Sequence, residues 1–297
     1  MRWRRTSTVQ VEDRRGQGGL GGFPGGGLQI PIPIPETRGE KAGMGLGGGG
    51  LIVVLLFLAI TFFSGGLPGS GGGGTQPLSS GDEQAQFVNS VTADIQDAWT
   101  AVLSRSGRTY ERTVVVLFDG GTQTGCGSAS SSVGPFYCPI DRKVYLDLGF
   151  FDELSRRFGA PGDFAQAYVI AHEFGHHIQN QLGVMSQVQQ QQQANPDNAN
   201  ELSVRLELQA DCYAGIWANT AFAQPGQGEG AVSLEPGDIE EGIAAAEAVG
   251  DDRIQSSTQG QVNPETWTHG SSRQRADWFQ RGFRSGDPGD CDTFTSG

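Results

Sequence analysis

His172, Glu173 and His176 stand in the stretch AHEFGHHIQN, residues 171–180, at the spacing a mononuclear zinc hydrolase needs on a helix. With about 3.6 residues per turn, positions i and i+4 are separated by roughly 40° around the axis, so both imidazoles project from one face and can share a metal. Glu173 is rotated by roughly 100° and flanks that metal, better placed to hold a water than to bind the ion. The chain has four histidines, and three of them fall here, which makes chance a poor explanation. His177 lies roughly 100° from His176, off the ligand face, and is expected to be packed or hydrogen-bonded instead.

A catalytic zinc usually takes three protein ligands and a water, so one ligand must come from elsewhere. The segment ELQAD offers Glu207 and Asp211, again four apart. One carboxylate can reach the ion, and the other can accept the remaining ring N–H of a ligand histidine, most simply His172. Leu206, Leu208, Ala210, Tyr213, Ala214 and Trp217 crowd the same helix, so both acids are expected to be buried against the metal rather than solvated. Glu207 is then the third ligand and Asp211 the group that orients His172. His269 lies in THGSSRQRADWF, where it either donates to the oxyanion formed on a scissile carbonyl or belongs to a helix start capped by Ser271 or Ser272. A calcium site at Asp251 and Asp252 is a weaker possibility.

These residues need helices and a sheet to hold them. Phe87, Val91, Ile95, Trp99 and Val102 recur at helical spacing after a Ser80/Glu83 capping box. Residues 113–118 and 143–148 read as strands, the second either pairing with an extended peptide or lying inside a sheet. A short helix is expected over 150–158. The histidine-bearing helix should open at Asp163 as cap and run to about Leu182, with Gly183 as its stop. Residues 186–200, glutamine-rich, read as a polar loop; about 200–218 and 236–252 read as helices. The fold class is α+β, mainly helical with a small β-sheet.

Outside this domain the composition changes. Many of the 47 glycines in 297 residues fall in runs that mark linkers. Residues 1–43, rich in Arg, Gly and Pro, are expected to form a disordered tail. The apolar run at 51–63, inside a charge-free window, predicts a single transmembrane helix over 44–67, a linker over 68–80 and a domain over 81–297. Seven basic residues (Arg2, Arg4, Arg5, Arg14, Arg15, Arg38, Lys41) precede the run and none follows until Arg105, so the positive-inside rule keeps the amino terminus in the cytoplasm and sends the domain across. The net charge is −13 over the whole chain and −16 over the part after the run, which excludes a nucleic-acid partner. In an extracytoplasmic domain Cys126 and Cys138 make a reasonable disulfide, leaving Cys212 with Cys291; three connectivities are possible.

HEFGH followed by ELQAD resembles the gluzincin pattern of zinc metalloproteases, in which HExxH gives two ligands and a downstream ExxxD glutamate the third. The runs CGSASSSVGPFYCPIDRKVYLDLGFFDEL, HEFGHHIQNQLG, RLELQADCYAGIW and THGSSRQRADWFQRGF are similar, in this order, to the bacterial putative neutral zinc metallopeptidase family, over about 113–287. The resemblance implies a zincin-like domain anchored in the bacterial cell membrane and working outside the cytoplasm. One catalytic Zn²⁺ would be held by His172, His176 and Glu207, with Glu173 as general base and a peptide or protein as substrate. The bilayer is then a partner through the anchor. The competing class is a catalytically silent zincin-fold envelope protein that binds or scaffolds, which has no need of Glu173.

Overall fold

A computed structural model describes residues 1–16, 78–79, 81–225 and 230–295. The expected membrane helix over 44–67 lies outside the described residues, as does nearly all of the linker. Among the described residues no helix is long and apolar enough to cross a membrane. What is described is mixed α/β and mainly helical.

The sheet has the order β2-β3-β7-β6, built from Val11–Asp13, Val115–Phe118, Lys143–Asp147 and Phe136–Cys138. β2, β3 and β7 run parallel, and β6 is antiparallel to β7. β7 therefore has a neighbour on each side, so it is the internal strand, and β6 carries the edge that an extended peptide could meet. A hairpin of β4 (Gly121–Thr124) and β5 (Gly127–Ser130) follows β3. β1 (Arg2–Trp3) pairs with β8 (Val232–Ser233).

The first 16 residues correct the expectation of a disordered tail. Val11 is 2% exposed, and Gln10 is buried with it. Val115 donates its N–H to the Gln10 carbonyl (3.1 Å) and Arg14 donates to Leu117 (2.8 Å). Little apolar mass is involved. Partners specific to each polar group hold the segment: Asn89 accepts from the Gln10 N–H at 2.7 Å, and Gln96 donates to the Gln10 side chain at 2.6 Å.

The helices are α1 (Glu83–Ser104), α2 (Gly149–Arg156), α3 (Asp163–Gln181), α4 (Val184–Ala194), α5 (Ala199–Ala223), α6 (Asp238–Ala248), α7 (Asp251–Gln259) and α8 (Ser272–Ser285). α1 is capped by Asp82, which accepts from Ala85 at 3.0 Å; Ser80, the expected cap, lies outside the described residues. Gly162 is the cap position of α3 and Asp163 its first residue; Glu241 accepts the Phe164 N–H at 3.2 Å in the cap's place. Gly183, left-handed at φ 79°, stops α3 as expected. The glutamine tract is helical as α4, not a loop. Glutamine is a good helix former, and Val188 fastens the helix to Leu202 and Leu206 of α5. The main core gathers Ile95, Trp99, Leu117, Leu146, Phe164, Tyr168, Phe174, Trp217 and Phe279 between the sheet and α1, α3, α5 and α8.

Candidate metal centre

Helix α3 carries the histidines and α5 the carboxylates, and the two meet at Gly175. A Cβ built there would lie 2.9 Å from the Cα and the carbonyl oxygen of Ala210. Only a glycine permits that approach. It sets one turn of α3 against one turn of α5, with His172 and His176 facing Glu207 and Asp211. The ligand atoms of His172, His176 and Glu207 all lie within 4.8 Å of one another, and all three residues are buried.

The second nitrogen of each ring decides what the first can do. His172 Nδ1 lies 2.8 Å from Asp211 Oδ1, an ionised carboxylate that can only accept. His176 Nδ1 lies 2.8 Å from Gln179 Oε1, and the Gln179 amide is fixed in that orientation because its Nε2 donates to the Leu206 carbonyl (2.7 Å) and to Gln209 Oε1 (3.1 Å). Both rings therefore donate from Nδ1 and turn Nε2 inward. There His172 Nε2 is 3.1 Å from Glu207 Oε2, and His176 Nε2 is 3.3 Å from Glu207 Oε1. The inner Nε2 of His176 has no hydrogen-bond partner. Two imidazole lone pairs thus converge with a carboxylate, all acceptors, and only a proton or a cation can satisfy them together. Two nitrogens and a carboxylate in closed array, each held by an outer hydrogen bond, are the donor set of a divalent zinc site.

Charge around the centre is arranged in layers. Arg275 of α8, 3% exposed, donates to Asp211 through Nε (2.8 Å) and Nη2 (3.0 Å). Tyr168 donates to the same carboxylate. Burial would raise Asp211, but Arg275 and His172 outweigh it and hold the carboxyl below its usual range. Burial would lower His172, yet Asp211 and Glu207 push it up to about 10. Glu207 falls well below the ordinary carboxylate value, since His176 and His172 more than offset its burial. Arg275 reaches this position because α5 and α8 pack backbone to backbone: a methyl on Gly215 would collide with the Phe279 carbonyl, and one on Gly282 with the Cys212 carbonyl.

Glu173 is buried beside the ligands, and one carboxylate oxygen, Oε2, has no partner. Burial raises its pKa. His269 is held by Asp251: Nδ1 lies 3.0 Å from Oδ1, while Oδ2 accepts the backbone N–H groups of Thr268, His269 and Gly270 at 2.7–3.1 Å. His269 Nε2 is buried without a partner. Gly270 packs on Val204 and Leu208, the turns of α5 on either side of Glu207. Asp251 is thus engaged with this loop, Asp252 accepts from Ser272 (2.7 Å), and among the described residues the two belong to no cluster of candidate metal ligands. The α8 start is capped by Ser271 with Gln274 in a capping box. His177 is outside the centre, between the Glu111 carbonyl (2.7 Å) and the Tyr137 hydroxyl (3.1 Å). A second acidic group, Asp163, Asp238 and Glu241, receives the Met1 ammonium, which donates to Asp163 (3.2 Å) and Asp238 (3.0 Å).

Both cysteine pairs are disulfides, Cys126–Cys138 and Cys212–Cys291. The second is anchored one residue beyond Asp211.

Arg275, Gln179 and Gly175 are the residues that spacing alone does not single out. Gln179, three residues beyond His176, and Arg275, within the late motif beside His269, each had a positional signal; Gly175 becomes visible only when helices are packed.

A family model described as "Putative neutral zinc metallopeptidase" matches residues 1–294, a span that includes the amino-terminal strands. The uncharacterized protein YpfJ of Escherichia coli (strain K12) is 43% identical over 302 residues, covering 99% of each chain. The uncharacterized protein Rv2575 of Mycobacterium tuberculosis (strain ATCC 25618 / H37Rv) is 53% identical over 191 residues, 63% of this chain and 64% of its own. No solved structure matches.

Proposed function

The chain belongs to the putative neutral zinc metallopeptidase family, and from that premise we propose that it hydrolyses peptide bonds with one zinc ion held by His172, His176 and Glu207, in a domain of the zincin type. The observation that carries this reading is the convergence of His172 Nε2, His176 Nε2 and the Glu207 carboxylate, each ring fixed from behind by a hydrogen bond from Nδ1. When bound, the ion would supply the Lewis acidity that polarises a carbonyl and acidifies water.

The other steps belong to side chains. Glu173, with a buried carboxylate oxygen lacking a partner and a raised pKa, takes the proton of the attacking water and passes it to the leaving amine. His269, whose Nδ1–H donates to Asp251, can also donate from its unpartnered Nε2 to the oxyanion on the scissile carbonyl when both ring nitrogens carry a proton. β6, at the end of the sheet, would give an extended peptide a backbone to pair with. A purely binding or scaffolding protein has no use for Glu173, whose buried carboxylate oxygen without a partner costs free energy to keep in place. Two disulfides support work outside the cytoplasm.

The test is Glu173→Gln in the full chain. It should retain one zinc per chain and lose cleavage of unfolded protein by about 10³-fold, and His269→Ala should lose turnover with its zinc in place. Full activity of Glu173→Gln would remove the base assignment.

A further inference from the structure

The amino-terminal residues are woven into the same body as the metal centre, and this bears on how the chain meets a membrane. β2 pairs in register with β3, Val11 opposite Val115 and Asp13 opposite Leu117. β1 pairs with β8, Arg2 opposite Ser233. Trp3 packs edge-on against Phe87 of α1, ring centroids 5.8 Å apart. Across the surface, Lys143 of β7 reaches Glu12 (2.7 Å) and Arg15 reaches Asp82, the cap of α1 (2.6 Å). At the far end of this segment Gly16 donates to Asp119 at 3.1 Å. Leu78, the next described residue, packs on the main core. Gly16 and Leu78 are thus both attached to this one body.

A helix that crosses a bilayer once puts the segments before and after it on opposite faces. Such a chain cannot also pair β2 with β3. The charge bias that orients a single crossing changes as well. Of the seven basic residues before the apolar run, Arg2, Arg4, Arg5, Arg14 and Arg15 belong to the folded body, and Arg2, Arg14 and Arg15 make ion pairs with Glu235, Glu12 and Asp13. The positive-inside rule counts charges within about 15–20 residues of a span, which leaves Arg38 and Lys41.

We propose that residues 1–16 and the metal-bearing domain lie on one side of the membrane, in one compartment. The amino-terminal segment is then an internal strap of the domain rather than a tail in another compartment. This inference stands apart from the hydrolytic reading, and its test reads neither zinc nor activity.

The experiment uses the full chain in native membranes. Ser7→Cys and Ser257→Cys, at exposed positions of the strap and of α7, are treated separately with a membrane-impermeant maleimide on intact cells and after lysis. Equal labelling of the two before lysis, whether both react or both are protected, is the expected result. Labelling of one and protection of the other overturns the proposal. A second variant, Arg2→Cys/Ser233→Cys, places cysteines at the paired positions of β1 and β8, close enough to cross-link on mild oxidation. An intramolecular cross-link, seen as a mobility shift on a non-reducing gel, is expected. Its absence, with both single variants well folded, also overturns the proposal.

Discussion

Gly175 lies against Ala210 with no space for a side chain, and this contact between two residues that touch no metal sets the separation of the histidine helix from the carboxylate helix. Gly175→Ala forces the two backbones apart. Overpacking of this kind costs about 1–3 kcal/mol. The loss of zinc should be larger than the loss of stability, because Glu207 is displaced from both rings at once. Zinc competition with a chromophoric chelator, alongside a thermal melt, checks this; unchanged zinc affinity would show that the helices can part without opening the site.

Asp211 and Arg275 form a buried ion pair behind His172. Asp211→Asn should weaken zinc binding by about 10–100-fold, the usual effect of losing the group that orients a ligand histidine. Arg275→Met should destabilise the fold by about 3–5 kcal/mol, since it leaves a buried carboxylate without its cation. The double variant Asp211→Asn/Arg275→Met should regain part of that stability while zinc affinity stays low. Additive losses in the double variant would mean that the two residues act independently.

Removal of residues 1–77 should unfold the domain rather than trim it. It exposes the edge of β3 and strips partners from the buried side chains of Asn89 and Gln96. Each buried group so orphaned costs about 1–3 kcal/mol, against a total stability of about 5–15 kcal/mol. A synthetic peptide of residues 1–16 added in trans should restore the near-ultraviolet circular dichroism signal. A fragment that begins at residue 78 and melts like the full chain contradicts this.

Asp94 supplies a pH dependence separate from the metal. Its carboxylate accepts from Trp217 Nε1 (2.8 Å) and from the Val232 N–H (3.0 Å), yet burial pushes its pKa up from the ordinary 3.8 to about 6. With the folded pKa raised, the folded state binds more protons than the unfolded chain between about pH 4 and 6. Stability therefore falls as pH rises through that window, by on the order of 3 kcal/mol, and is level above it. Denaturant titrations of Asp94→Asn against the parent should show this slope removed; identical slopes would assign the pH dependence to other groups.

Much of the centre can be read from spacing. Two i, i+4 pairs, His172/His176 and Glu207/Asp211, already fix which faces of two helices must meet. Arg275 escapes such reading because an arginine in a polar amphipathic helix looks solvated until α8 is packed on α5. Asp251 is read as a calcium ligand instead, because its partners are a histidine 18 residues away and three backbone N–H groups, which leave no mark on side-chain pattern. The amino-terminal strands are missed because pattern reading looks for apolar mass, and here Gln10, Asn89 and Gln96 hold the chain by matched hydrogen bonds. The glutamine tract shows the reverse error, in which low complexity hides a sound helix pinned by Val188.

The Cys212–Cys291 bond joins positions 79 residues apart, and the ring it closes contains Asp251, His269 and Arg275. Three of the groups that serve the centre are thus carried on one covalent loop whose fixed point sits next to Asp211. Even in a disordered chain they cannot diffuse far from the carboxylate helix, so their effective concentration at it stays high. Reduction would release them together, and the ligand histidine would lose the cation behind it in the same event that frees the His269 loop.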